Sequence, residues 1–362
     1  MNKTPLRNAL HRVGATFAEL FGWEVASAFG DIAAEYQAAR EGVALLDRSH
    51  LGRFKVTGKD ALDLLNRLTS NKVDILTPGT GAGTILPTNK GRVIDLLHLF
   101  FLPGHLLMLT SPQTRQRVAE WIDLYTFLEE ITVKDETDAT AMLAVLGPQA
   151  ATLLHDVTNA QVERLEHYGS VPVTVGGVAV TLLRSDPLDT QGYDLVMPAE
   201  QAEAVWETLA GHPSGPSPLG EIAYNALRIE AGLPRYGWEL SEEVNPWEVN
   251  LRRYIHFEKG CYVGQEVILR LNTYQKVQRH LRGLALSSPG VKEGARLSQG
   301  GKEAGIVTSV AKHPVSGEAI GLGLVRAAFA TPGSKLEVVN DQHQPLAEAC
   351  VQALPSPVGV SS

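Results

Sequence analysis

Two stretches of the chain repeat one residue pattern. Residues 54–68 read FKVTGKDALDLLNRL, and residues 143–157 read LAVLGPQAATLLHDV. Each has a short apolar run typical of a β-strand, a glycine turn, and leucines at helical spacing. Any α+β chain can show such coincidences, but the agreement continues into a later helix of each half, where Trp121 and Trp206 mark the apolar face. We therefore predict two related α+β units in one chain.

The C-terminal part of the chain has a different pattern. After the Pro-, Gly- and Ser-rich stretch 212–220, one more helix is predicted across AYNALRIEAG, residues 223–232. From about residue 280 only short β runs remain, punctuated by glycine and proline as in a small antiparallel barrel or sandwich. The predicted fold class is α+β, with a first unit at 1–140, a second at 141–275 and a C-terminal β-barrel domain at 276–355.

Composition excludes several classes of function. No apolar run approaches the roughly 18 residues of a membrane-spanning helix. The net charge of −8 argues against a broad nucleic-acid surface, though not against a local basic pocket. Two cysteines, Cys261 and Cys350, provide neither a disulfide framework nor a cysteine-based zinc site. The sequence predicts a cytoplasmic protein without a metal site, and without a direct nucleic-acid or membrane partner.

Asp95 is an acidic residue in an apolar segment, GRVIDLLHLFF, residues 91–101. On a strand it shares one face with Val93 and Leu97, where a carboxylate is costly to bury without a partner. Two interpretations stay open. Asp95 reaches water at the strand end, or it faces a ligand cavity and accepts a hydrogen bond from a polar heterocycle.

Charged and aromatic residues crowd a predicted helix end in RIEAGLPRYGWEL, residues 228–240. Gly232 suits the position just after the helix, with Pro234 beyond it. Arg228 and Glu230 are two residues apart, so they point to different sides of a helix and do not form a surface pair one turn apart. A solvated helix end and a ligand site both fit this stretch.

The segment KGCYVGQE, residues 259–266, places a thiol in a glycine-flanked turn. A short helix is predicted to start near Gly264, which puts Cys261 just before a helix N-terminus and two residues from Lys259. Both features favour the thiolate, whereas Glu266 opposes it. A reactive cysteine and a buried structural one both remain open. Cys350, on an apolar alternating strand, is expected to be structural.

KGCYVGQE followed by Arg270 resembles the signature of YgfZ-type folate-binding proteins. That family is related to the T-protein of the glycine cleavage system, the tetrahydrofolate-dependent aminomethyltransferase. FGWEV (21–25), LLDRSHLGRFKVTG (45–58), RIEAGLPRYGWEL and the stretch from VQRHLRGLAL onward also resemble T-protein segments. The resemblance implies a T-protein-like three-domain cloverleaf around a central folate cavity.

The resemblance also implies roles for individual residues. The T-protein has two adjacent aspartates where this chain has Asp95 and Leu96, and Glu230 matches a glutamate that contacts the pterin. The T-protein segment D-F-I-G-x-E becomes C-Y-V-G-Q-E here, and the cysteine in place of aspartate is the YgfZ hallmark. The implied catalytic residues are Asp95, Lys259 and Cys261. The implied cofactor-binding residues are Asp95, Arg228, Glu230, Tyr236, Tyr262, Gln265 and Arg270.

The ligand implied by the resemblance is tetrahydrofolate or a one-carbon derivative. The expected function is a monomeric folate-binding protein that supports iron–sulfur cluster assembly or repair, and through it cluster enzymes such as those that modify tRNA. Its expected partners are assembly factors or those enzymes. Two alternatives stay open. The first is an aminomethyltransferase of the glycine cleavage type, which would require the second aspartate that this chain lacks. The second is a folate-free scaffold, in which Asp95 and Glu230 would have no role in ligand binding.

Overall fold

The computed structural model describes residues 1–188, 190–273, 277–340, 342 and 344–355. The helices are α1 Arg7–Arg12, α2 Ile32–Glu41, α3 Ala61–Leu68, α4 Arg115–Leu124, α5 Ala150–Thr158, α6 Ala202–Ala210, α7 Glu221–Glu230 and α8 Gln265–Thr273. No helix in the described ranges is long and apolar enough to cross a membrane.

The strands of the N-terminal two thirds are β1 Asn2–Lys3, β2 Thr16–Leu20, β3 Trp23–Ala28, β4 Ala44–Asp47, β5 Gly52–Thr57, β6 Gly81–Pro87, β7 Val93–Leu102, β8 His105–Thr110, β9 Thr132–Asp135, β10 Thr140–Leu146, β11 Ser170–Val175, β12 Val178–Arg184, β13 Gly192–Pro198 and β14 Ser217–Pro218. Those that follow are β15 Arg279–Leu286, β16 Arg296–Gln299, β17 Lys302–Lys312, β18 Ala319–Arg326, β19 Lys335–Val339 and β20 Pro345–Gln352.

The chain divides into two compact units. Unit 1 comprises Met1–Thr84 and Leu96–Tyr224, and unit 2 comprises Ile85–Asp95 together with the described residues from Asn225 onward. The tip of the β6–β7 hairpin, Ile85–Asp95, is called the hairpin tip below. It therefore belongs to unit 2, although the rest of both strands belongs to unit 1.

The predicted internal repeat is confirmed in the backbone. β5 and α3 flank Gly58, and β10 and α5 flank Gly147; both glycines have a positive φ, +113° and +102°. A Cβ would lie 1.9 Å from the carbonyl oxygen of Glu130 at the first position and 2.5 Å from that of Gly42 at the second. Only glycine fits such a close approach to a neighbouring carbonyl, which belongs to the loop before β9 in the first copy and to the residue after α2 in the second. Both copies therefore turn at the same residue type.

Four strands from each copy of the repeat follow the same order in their sheets. The first sheet runs β6-β7-β8-β5-β9 and the second β11-β12-β13-β10-β4-β14. In the first sheet β9 pairs with β5. In the second sheet the corresponding position beside β10 is occupied by β4, which is antiparallel to β10. The second sheet therefore uses a strand from before residue 141, and the domain boundaries given by the sequence stay predictions.

The apolar helix faces predicted from the sequence are buried in unit 1. Trp121 of α4 and Trp206 of α6 are both buried, and Trp206 belongs to a core that includes Leu153 and Leu154 of α5. The helices thus pack their apolar stripes while their polar faces remain outside, as the 3.6-residue period requires.

The C-terminal strands close into a six-stranded barrel in unit 2, in the order β15-β18-β17-β16-β19-β20. All of its pairings are antiparallel, and closure removes free strand edges. Along β20, Ala349 and Val351 face the core, and alternation places Cys350 half-buried on the opposite face. The predicted α+β fold with a C-terminal β-barrel is confirmed.

Candidate functional site

Unit 2 contains every residue to which the resemblance assigned a role. Asp95 is on the hairpin tip, and the others follow Asn225 in the chain. They are Arg228, Glu230, Tyr236, Lys259, Cys261, Tyr262, Gln265 and Arg270. Two stretches that are far apart in sequence therefore contribute to one compact unit.

The hairpin tip and residues 259–266, called the cysteine segment, pack backbone against backbone. Gly264 has a φ of +76°, and a Cβ there would lie 2.4 Å from the carbonyl oxygen of Thr88. On the hairpin tip, a Cβ at Gly91 would lie 3.1 Å from a side-chain carbon of Ile268 in α8. Glycine at both positions permits this approach. The stretch that carries Asp95 therefore lies against the stretch that carries Cys261.

Asp95 is completely buried, with 0 % of its surface exposed. Two hydrogen bonds join the start of its strand to residues 243–244. The Val93 N–H donates to the Val244 carbonyl at 3.0 Å, and Arg92 Nη1 donates to the Glu243 carbonyl at 2.9 Å. The interpretation in which Asp95 reaches water at the strand end is therefore wrong. Its role toward a ligand stays a prediction.

Arg228 is buried in a network that joins α7 to barrel strand β17. Nη1 donates to Glu239 Oε2 at 2.8 Å, Nη2 to Ser309 Oγ at 2.5 Å, and Nε to Asn225 Oδ1 at 2.9 Å. Nη1 also donates to the Leu233 carbonyl at 3.3 Å, so four of the five guanidinium N–H groups are used within the protein. Arg228 thus has a structural function, and its predicted contact with folate stays a prediction.

Glu230, two residues further along α7, contacts a different part of unit 2. Its side chain is 28 % exposed, and Oε1 lies 3.3 Å from Nε2 of His313 on the loop that follows β17. A carboxylate at this position can accept N–H groups from a ligand. Sequence reasoning missed His313 because it is distant in the chain and belongs to no recognisable motif.

Cys261 is exposed in the turn before α8, whereas Lys259 and Tyr262 are buried. α8 begins at Gln265, as the sequence predicts, and the Gln265 N–H donates to the Tyr262 carbonyl at 3.1 Å. The Lys259 ammonium lies 5.2 Å from the centroid of the Tyr262 ring, a distance typical of a cation–π contact. The sulfur is therefore accessible, and its activation by Lys259 stays a prediction.

The hydroxyl of Tyr262 has no hydrogen-bond partner among the described residues. Only 6 % of the residue is exposed, and burial raises the pKa of the phenol to about 12, so it remains protonated and able to donate at neutral pH. An unpaired buried polar group costs about 1–3 kcal/mol and is uncommon in native proteins. This donor can therefore serve a polar ligand that carries an oxygen acceptor.

The remaining predicted residues are at least partly accessible. Gln265 is the first residue of α8, Arg270 is exposed in its last turn, and Tyr236 forms an isolated bridge with Leu240. Their predicted contacts with folate stay predictions. In the described part of the chain, no group of three or more His, Cys, Asp or Glu side chains is placed to hold a metal ion.

Cys261 is expected to be alkylated several-fold faster than Cys350 in the folded protein. Cys261 is exposed, whereas Cys350 is half-buried on the barrel with Sγ 3.9 Å from the Val351 carbonyl oxygen. Thiol reactivity follows accessibility as well as thiolate content. Iodoacetamide labelling followed by peptide mass spectrometry measures both rates in one sample, and faster labelling of Cys350 would contradict the assignment.

Two family models match the sequence in succession. The model described as GCVT N-terminal domain matches residues 6–259, and the glycine cleavage T-protein C-terminal barrel domain matches residues 279–355. The second match contains the whole barrel, β15 to β20, and the first contains the repeated α+β units.

Curated relatives match along most of the chain. An aminomethyltransferase of Streptomyces coelicolor is 32% identical over 347 residues, which cover 92% of this chain and 93% of the relative. An aminomethyltransferase of Herpetosiphon aurantiacus is 30% identical over 343 residues, 94% of each chain. A putative chloroplastic transferase of Arabidopsis thaliana is 34% identical over 308 residues, 83% of this chain and 69% of the relative.

A solved structure has the same fold. The glycine cleavage system aminomethyltransferase T from Bartonella henselae superposes with a TM-score of 0.87 at 23% identity, covering 98% of this chain and 97% of that one. Repeated α+β units followed by a closed barrel define a T-protein-like class of protein. With both family models matched, the chain belongs to the glycine cleavage T-protein family. Membership of the YgfZ-type branch stays a prediction.

Proposed function

We propose that this protein binds tetrahydrofolate, or a one-carbon derivative of it, in unit 2. The observation that supports the proposal is the packing of the hairpin tip, with its buried Asp95, against the cysteine segment. Asp95 and Glu230 supply carboxylates, which accept N–H groups such as those of a reduced pterin in charge-assisted hydrogen bonds. The T-protein family to which the chain belongs supports the same ligand class.

The first candidate reaction is aminomethyl transfer. Its support is that relatives matching more than nine tenths of the chain are named aminomethyltransferases. Bound tetrahydrofolate would supply the nitrogens that accept the one-carbon unit. Asp95 would hold the pterin through its N–H groups, and burial of the carboxylate would exclude water from that contact.

The test of this reaction is methylene-tetrahydrofolate formation from an aminomethylated lipoyl carrier protein. A transferase is expected to turn over on the order of 1–10³ times per second, the ordinary range for enzymes. Asp95→Asn is expected to lower that rate. A wild-type protein that binds tetrahydrofolate but gives no turnover would exclude the transferase and leave the second candidate.

The second candidate function is support of iron–sulfur cluster assembly or repair by a YgfZ-type folate-binding protein. The observation that favours it is the exposed thiol of Cys261, at the position where the resembled T-protein segment has an aspartate. Leu96, in place of a second aspartate, favours it as well. Assembly factors or cluster enzymes, such as those that modify tRNA, would be the partners.

Complementation tests this second candidate. In a strain that lacks the gene, the wild-type protein and Cys350→Ser are expected to restore the activity of cluster enzymes, and Cys261→Ser is not. Full restoration by Cys261→Ser would remove the thiol from the account, and Cys261 would then be only a small residue that fits a turn.

A further inference from the structure

The Tyr262 hydroxyl is a buried donor that the packing of its own side chain does not explain. The ring is buried and its face contacts the Lys259 ammonium, 5.2 Å from the centroid. A phenylalanine ring would make both interactions, and phenylalanine is what the resembled T-protein segment D-F-I-G-x-E has here. Compared with phenylalanine, tyrosine adds one hydroxyl at this position. Burial takes that hydroxyl out of water, and it has no hydrogen-bond partner among the described residues.

We propose that the Tyr262 hydroxyl donates a hydrogen bond to an acceptor oxygen of the folate bound in unit 2. This inference rests on the proposed function. It adds a buried neutral donor to a predicted site in which Asp95 and Glu230 supply acceptors.

Three of the predicted contacts, the two carboxylates and Arg228, have little or no donor capacity left for a ligand. The carboxylates of Asp95 and Glu230 accept hydrogen bonds and, when ionised, cannot donate them. Arg228 already uses four of its five N–H groups within the protein. A folate has carbonyl and carboxylate oxygens that need donors when they leave water, and a phenol that stays protonated supplies one.

Tyr193 shows what a buried tyrosine looks like when the protein itself satisfies it. Tyr193 is fully buried in unit 1, its hydroxyl accepts from Gln191 Nε2 at 2.7 Å, and it donates to the Val162 carbonyl at 3.2 Å. It has no predicted role in ligand binding. Tyr193→Phe is therefore a matched control, because it removes a buried hydroxyl that already has partners.

The experiment compares wild type, Tyr262→Phe and Tyr193→Phe as full-length proteins. Isothermal titration with tetrahydrofolate under anaerobic, reducing conditions gives the dissociation constant, and thermal unfolding without ligand gives the Tm. Tyr262→Phe is expected to raise the dissociation constant roughly two- to tenfold, the loss of one neutral hydrogen bond. Its Tm without ligand is expected to equal or exceed that of wild type.

Tyr193→Phe is expected to show the opposite pattern, a lower Tm and an unchanged dissociation constant. Equal affinity of Tyr262→Phe and wild type would overturn the inference and leave the proposed function intact. A Tm of Tyr262→Phe as low as that of Tyr193→Phe would also overturn it, since the hydroxyl would then have a partner within the protein. Absence of binding by wild type would reject the proposed function itself.

Discussion

Replacing Glu239 with glutamine is expected to lower the free energy of unfolding of unit 2 by about 3–5 kcal/mol, the cost of leaving one charge of a buried pair without its partner. Glu239 Oε2 lies 2.8 Å from Arg228 Nη1, and the two side chains are 0 % and 2 % exposed. Glu239 also accepts hydrogen bonds from the Ser309 hydroxyl at 2.5 Å and from the Arg235 N–H at 3.0 Å. Glutamine keeps the shape but leaves the guanidinium charge buried and uncompensated.

Urea unfolding followed by circular dichroism measures this effect, and the chain supplies a matched control. The ion pair between Arg67 and Asp63 has a similar length, 2.9 Å, but its side chains are 46 % and 69 % exposed. Asp63→Asn is therefore expected to cost less than about 1 kcal/mol, since water screens the pair. A Glu239→Gln protein as stable as Asp63→Asn would show that the buried pair does not hold unit 2 together.

Gly264→Ala is expected to destabilise unit 2 by more than about 2 kcal/mol, because a left-handed backbone alone costs an alanine about 1–2 kcal/mol. The added Cβ would also lie 2.4 Å from the Thr88 carbonyl oxygen, a backbone atom that cannot move aside. The cysteine segment and the hairpin tip must then separate. Because Asp95 and Tyr262 lie on these two segments, the affinity for tetrahydrofolate is expected to fall with the stability.

Gly260→Ala, in the same segment, is the control for Gly264→Ala. A Cβ at Gly260 would have no atom within 4 Å, so its stability is expected to stay within about 0.5 kcal/mol of wild type. Urea unfolding and tetrahydrofolate titration are measured on both variants. Equal behaviour of the two alanine variants would contradict the close packing of the cysteine segment on the hairpin tip.

Local patterns made most of the fold predictable from the sequence. The two copies of the repeat are visible because strand, glycine and helix follow one another within a short stretch, and Gly58 and Gly147 have the predicted role. The start of α8 after Gly264 and the barrel strands from about residue 280 are equally local signals. The position of β4 beside β10 could not be predicted, because strand partners distant in sequence leave no trace in hydrophobic period.

The candidate site was predictable only in part, for the same reason. Asp95 stands out as a carboxylate on an apolar strand, but the strand period left open whether it reaches water, and its burial is a finding of the structure. Arg228 pairs with Glu239 and Ser309. These partners depend on how α7 packs against the barrel, and no local sequence pattern predicts that packing. No local pattern indicates the close approach of Gly91 to α8 either.

The most direct test of the central claim is calorimetric titration of the wild-type protein and Glu230→Ala with tetrahydrofolate. Wild type is expected to bind saturably, and Glu230→Ala about tenfold or more weakly, since a hydrogen bond to a charged group contributes about 1.5–3 kcal/mol. His313→Gln is the control, because it removes the imidazole 3.3 Å from Glu230 but keeps the carboxylate, so its affinity is expected to stay near that of wild type. No binding by wild type, or equal binding by wild type and Glu230→Ala, would contradict the assignment of a tetrahydrofolate site to unit 2.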